Sequence, residues 1–117
     1  MKVTGIDASY YYAKDFDRAV SFYTALLGGA PQGVMPGTYA EWELADGAAF
    51  GLYKGEQYEH CGGLMFGVDD VAAAVAELRA RGVHFAMDGA VEDTPACHMA
   101  FGQDSEGNGF ILHKRKT

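Results

Sequence analysis

The side chains of this sequence best suited to chemistry are a few histidines and carboxylates. His98 and His113 fall in neighbouring strands of one expected hairpin, 96–102 and 109–114. There they can approach each other as an acid–base pair near neutral pH, or as two ligands of a divalent metal. Glu41 and Glu43, in the alternating segment 38–45, offer carboxylates for the same tasks, and His60 is a further nitrogen donor. The plainer reading is structural: His113 at the end of its strand, His98 partly buried in its own. Cys61 and Cys97 fit no metal or redox spacing and read as free thiols of a reducing cytoplasm.

These residues need elements to position them. Residues 6–13 (IDASYYYA) read as an aromatic strand. Asp15 caps a helix with apolar residues at Ala19, Val20, Phe22, Tyr23, Leu26 and Leu27, and Gly28-Gly29 ends it. Pro31, Gly33, Pro36 and Gly37 mark a loop. Strands 38–45 and 48–54 flank Asp46-Gly47, which fits a two-residue hairpin turn. That turn sets Trp42 opposite Gly51. A three-residue turn would shift the register by one, set Glu41 opposite Gly51 and send Trp42 to the core. The second half repeats the pattern: a strand over 62–68, a helix capped by Asp69-Asp70 and ending at Gly82, a short strand over 83–87, a loop over 89–95, and strands 96–102 and 109–114 around the turn Asp104-Ser105-Glu106-Gly107-Asn108. Asp15-Phe-Asp-Arg-Ala-Val aligns with Asp70-Val-Ala-Ala-Ala-Val, so the chain reads as two copies of one supersecondary unit.

A chain of 117 residues, 49% of them hydrophobic, is one domain with a core of its own. Its net charge of −7 argues against nucleic acid or an anionic membrane as partner. No apolar run approaches the roughly 18 residues of a membrane span. No basic segment followed by an apolar stretch opens the sequence, so a cytoplasmic protein is expected.

Three motifs in order carry a resemblance. The run Asp15-Phe16-Asp17-Arg18-Ala19-Val20-Ser21-Phe22-Tyr23 with Leu26-Leu27-Gly28, then Val68-Asp69-Asp70-Val71 with Ala80-Arg81-Gly82-Val83, then Asp104-Ser105-Glu106-Gly107-Asn108 with Phe110-Ile111-Leu112, resemble the vicinal oxygen chelate superfamily of glyoxalases, bleomycin-resistance proteins and extradiol dioxygenases. Ser105 stands where that family usually has proline. The resemblance implies an α+β fold of two βαβββ modules, about 1–57 and 58–117, forming a curved mixed β-sheet around a central cavity in a single domain 1–117. It also implies a homodimer. Counted from the motifs, the family's four metal-ligand positions fall on Ala8, Gly51, Gly63 and Ile111, none of which has a side-chain donor. Side-chain alternation sets Tyr10, Tyr12, Tyr53 and Met65 beside them, with Trp42 under the two-residue turn.

The expected function is therefore metal-free binding, with no cofactor. A small aromatic or amphipathic molecule, of antibiotic or metabolite type, would contact Tyr10, Tyr12, Trp42, Tyr53 and Met65, with His98 and His113 as polar contacts. The alternative is a lyase, isomerase or dioxygenase of the same superfamily, with a displaced divalent-metal site or acid–base groups at His98, His113 and Glu41 or Glu43.

Overall fold

A computed structural model describes residues 2, 8–56 and 64–116. The chain divides into two compact units, Met1–Glu59 and His60–Thr117. The first runs β1 (Ala8–Ala13), α1 (Phe16–Leu27), β2 (Gly33–Met35), β3 (Tyr39–Glu43) and β4 (Ala49–Lys54), with sheet order β1-β4-β3-β2. The second runs β5 (Leu64–Gly67), α2 (Val71–Ala80), β6 (His84–Phe85), a 3-10 turn (Ala86–Gly89), β7 (Glu92–Asp93), β8 (Cys97–Gln103) and β9 (Gly109–Arg115). Its sheet order is β5-β9-β8-β6, and β7 also pairs with β8. In each sheet the first strand lies parallel to the last and the remaining pairs are antiparallel. This is the α+β fold of two βαβββ modules that the repeat implies.

Both helices begin where an aspartate can accept an otherwise unpaired N–H. The Asp15 carboxylate accepts from the Arg18 amide at 3.3 Å, and the Asp70 carboxylate accepts from the Ala73 amide at 3.0 Å. Their ends differ. At α1, Gly28 turns left-handed and both Gly28 and Gly29 donate to the Thr24 carbonyl. At α2 the Gly82 and Val83 amides return to the Arg79 and Leu78 carbonyls, the paired bonds of a Schellman motif.

The core of the first unit lies between α1 and one face of its sheet. Phe16, Ala19 and Tyr23 of α1 meet Tyr11, Phe50, Leu52 and Trp42, all buried. Tyr23 is the hub, with ring centroids 4.6 Å from Phe50, and 6.3 Å from both Tyr11 and Trp42. In the second unit Val71, Val75 and Leu78 of α2 are buried with Phe85, Ala100, Phe110 and Leu112.

The β3–β4 turn overturns the two-residue expectation. The Leu44 amide bonds the Ala48 carbonyl at 2.8 Å and the Gly47 amide bonds the Leu44 carbonyl at 2.9 Å, leaving Ala45-Asp46-Gly47 as the loop. Gly47 has φ 87°, the left-handed residue such a turn requires, and the Asp46 carboxylate accepts from the Ala48 amide at 3.0 Å. Glu41 therefore faces Gly51, and Trp42 faces Phe50. Trp42 is 3% exposed, and its indole N–H donates to the Gly29 carbonyl at 2.8 Å, tying the end of α1 to the sheet. The second unit builds the same turn: the Asp104 amide bonds the Asn108 carbonyl, and Gly107 has φ 85°. There the Asp104 carboxylate accepts from the amides of Glu106 and Asn108 and from the buried Asn108 side chain.

Two further expectations change. Gly33–Met35, read as loop, forms the strand β2 against Tyr39–Glu41, and within the expected loop 89–95 Glu92 and Asp93 pair with Met99 and His98. Both are strands too short to show a period of two. Residues 3–7 and 57–63, among them His60, Cys61 and Gly63, lie outside the described residues, and so do the expectations placed on them.

β7 is also tied down by charge. The Lys116 ammonium bonds the Asp93 carboxylate, and His98 Nε2 lies 3.3 Å from the same oxygen. The Lys116 hydrogen bond and charge hold the Asp93 carboxyl below its ordinary value against an opposing desolvation, and His98 adds a smaller pull in the same direction as Lys116. A carboxyl lowered on folding stabilises the fold above its ordinary pKa and loses that contribution as pH falls through the lowered one. Lys116→Met should therefore raise the Asp93 pKa, read by carboxylate NMR titration. An unmoved titration would show that Lys116 does not hold it.

Packing gives a second expectation. A Cβ at Gly102 would stand 2.5 Å from Cζ of the buried Phe110 ring, whereas one at Gly67 would meet nothing within 4 Å. Gly102→Ala should cost about 1–3 kcal/mol in chemical denaturation. Gly67→Ala should stay within about 0.5 kcal/mol. Equal effects would contradict this packing.

Candidate functional site

The face of the first sheet opposite α1 is built of two neighbouring cross-strand rows. One row runs Gly33, Glu41, Gly51, Tyr10 across β2, β3, β4 and β1; the next runs Met35, Tyr39, Tyr53, Tyr12. Alternation along each strand puts these eight residues on one side, while Ala40, Trp42, Phe50, Leu52 and Tyr11 point to the helix. Tyr10 is 56% exposed, and Tyr12 and Tyr53 are also open. The rings form one cluster. Tyr10 meets Tyr12 at 5.6 Å and Tyr53 at 5.4 Å, both edge-to-face, and Tyr39 meets Tyr53 at 5.0 Å. Such contacts hold the rings in place.

Glycine forms the floor between them. A Cβ at Gly51 would lie 3.7 Å from Tyr10 Cβ and 3.8 Å from Tyr53 Cε2, so a side chain there would fill the space between the two rings. A Cβ at Gly33 would lie 3.9 Å from both Glu41 Oε2 and Tyr39 Cε1. Glu41 is half-buried between these two glycines, and its carboxylate has no hydrogen-bond or ion-pair partner among the described residues.

The corresponding face of the second sheet carries different chemistry. Met65, Ile111 and Phe101 form one row, and Gly67, His113 and Met99 the next. A cavity of about 450 Å³ lies beside Met65, Gly67, Asp69 and His113. His98 pairs with Lys114, one residue out of step with His113, so the two histidines project from opposite faces of the sheet. His98 lines a different cavity, of about 500 Å³, with Val71 and Ala72 at the start of α2. The expected approach of His98 to His113 is thereby overturned, and with it their joint role as acid and base or as neighbouring ligands.

Trp42 is the second correction. Its ring belongs to the core and cannot contact a ligand on the open face. Tyr39 and Glu41 stand on that face instead. Tyr39 was missed because the two-residue turn assigns it to the helix side. The signal was present in the pattern Tyr39, Glu41, Glu43 against Ala40, Trp42, Leu44: the second set is the apolar one and belongs inside.

Of the four ligand positions that the resemblance implies, three fall on described residues. Ala8 and Gly51 on the first sheet and Ile111 on the second have no side-chain donor. Among the described residues, no group of three or more His, Cys, Asp or Glu side chains gathers to hold one. Among them, too, no helix is long and apolar enough to cross a membrane.

Comparison with known proteins agrees with this architecture. The Glyoxalase/Bleomycin resistance protein/Dioxygenase superfamily profile matches residues 5–112. A lactoylglutathione lyase from Agrobacterium tumefaciens superposes with a TM-score of 0.81 at 16% identity, over 97% of this chain and 96% of its own. TnmS3, an antibiotic binding protein from Streptomyces sp. CB03234, superposes with a TM-score of 0.74 at 24% identity, over 99% of each chain. A glyoxalase / bleomycin resistance protein from Catenulispora acidiphila DSM 44928 gives 0.74 at 22% identity, over 94% of this chain and 98% of its own. At these identities the likeness is one of fold. No curated protein sequence matches. With its two βαβββ modules and a profile match over nearly its whole length, the chain belongs to the Glyoxalase/Bleomycin resistance protein/Dioxygenase superfamily.

Proposed function

We propose that this protein binds a small aromatic or amphipathic molecule without a metal, as a homodimer of antibiotic- or metabolite-sequestering type. The observation that carries the reading is the open tyrosine face. Tyr10, Tyr12, Tyr39 and Tyr53 surround a glycine floor, and one of its glycines, Gly51, stands at a position where the resemblance implies a metal donor. Aromatic walls with hydroxyl tips suit planar ligands with polar edges, because ring faces stack while the hydroxyls stay solvated or bond the ligand. A neighbour of the same fold binds an antibiotic, which is a fact about that protein and lends support to this reading.

The reading has two tests. Ligand-observed NMR with a library of planar aromatic compounds should find binders that shift the resonances of these tyrosines. Tyr53→Ala should weaken the best of them about tenfold, and Gly51→Leu should abolish binding by filling the floor while the fold persists. Metal analysis of freshly purified protein should find Zn, Ni, Mn and Fe well below one equivalent. An equimolar metal that survives dialysis would sink the metal-free reading, and binders indifferent to both substitutions would remove the tyrosine face from it.

A further inference from the structure

We infer that the ligand of the tyrosine face carries a cationic nitrogen, an amine or quaternary ammonium, which sits at Glu41 beside the Tyr39 ring. The inference rests on the reading of that face as a binding surface and names the class of molecule it takes.

Glu41 sits at the centre of the face, between Gly33 and Gly51 in its row and beside Tyr39 and Tyr53 of the next. Its carboxylate has no partner among the described residues, and no Lys or Arg lies in either row. Glu43, next along β3 on the same side, adds a second carboxylate. A Cβ on Gly33 would lie in van der Waals contact with the Glu41 side chain and with Tyr39 Cε1, so this carboxylate and this ring flank the small space above Gly33. A carboxylate set among exposed tyrosines is suited to an organic cation, which gains from the charge and from any ring face it comes to lie over.

Desolvation makes the assignment selective. Any molecule covering the tyrosines also covers Glu41 and strips water from it. A neutral apolar molecule leaves that carboxylate buried and unpaired, at a large penalty. A molecule with a cationic group above Gly33 compensates the charge it desolvates. Glu41 thus selects against the neutral analogue as much as it favours the charged one.

The test uses two probes of one shape, 4-(trimethylammonio)phenol and 4-tert-butylphenol, which differ in charge. Chemical-shift titration of the wild-type protein should give at least about tenfold tighter binding of the cation, with the preference shrinking as salt is added. Glu41→Gln should lower affinity for the cation about tenfold, leave the neutral probe equal or better bound, and leave the melting temperature unchanged. If the wild type does not prefer the cation, or Glu41→Gln changes both probes alike, the cation subsite is wrong. The tyrosine face then survives as a binding surface if Tyr53→Ala still weakens the neutral probe. If neither probe shifts the tyrosine resonances, the binding face fails and the subsite with it.

Discussion

The turn Ala45-Asp46-Gly47 decides what the first sheet can do. Side chains on a strand alternate, so one residue more or less in a turn exchanges the two faces of the strand it feeds. With Gly47 left-handed and Leu44 bonded to Ala48, the apolar set Ala40, Trp42 and Leu44 is fixed to one side and Tyr39, Glu41 and Glu43 to the other. The core follows from that choice. Trp42 can reach Phe50, Tyr23 and the Gly29 carbonyl only in this register. The open face follows as well, because Glu41 then meets Gly51 and Tyr39 meets Tyr53.

The fold was legible because its signals are local and repeated. Asp15 and Asp70 announce helix starts, Gly28 and Gly82 announce stops, and the second copy restates the first. The site was less legible because it depends on register, and Asp-Gly is compatible with two turns. The repeat held the answer. Asp104–Asn108 encloses Ser105-Glu106-Gly107 as Leu44–Ala48 encloses Ala45-Asp46-Gly47, with the left-handed glycine third in both. His98 and His113 failed for the same reason, since strand membership places two residues near each other and parity alone says whether they share a face.

The two units apply one template to different ends. Beneath each helix the sheet offers the same kind of surface, apolar and aromatic: Tyr11, Phe50 and Leu52 in one, Phe110, Leu112 and Ala100 in the other. The opposite faces diverge. The first carries tyrosines and carboxylates, the second Met65, Phe101, Ile111 and two histidines, His84 and His113. Because alternation separates the face that packs on the helix from the open face, the open face can change its chemistry with little effect on the core. That independence allows Ala8, Gly51 and Ile111 to stand where other chemistry would need donors.

Glu41 also bears on whether the tyrosine face could be a closed layer of the protein's own core. A dry core tolerates tyrosine hydroxyls, which need one partner each, far better than a carboxylate with none. Sealing this face without a cation would leave a buried, uncompensated charge. Tyr10 at 56% exposure shows a surface still open to water. The same carboxylate that makes the face a poor core layer makes it a discriminating one, because only a partner that replaces its lost hydration can cover it at low cost.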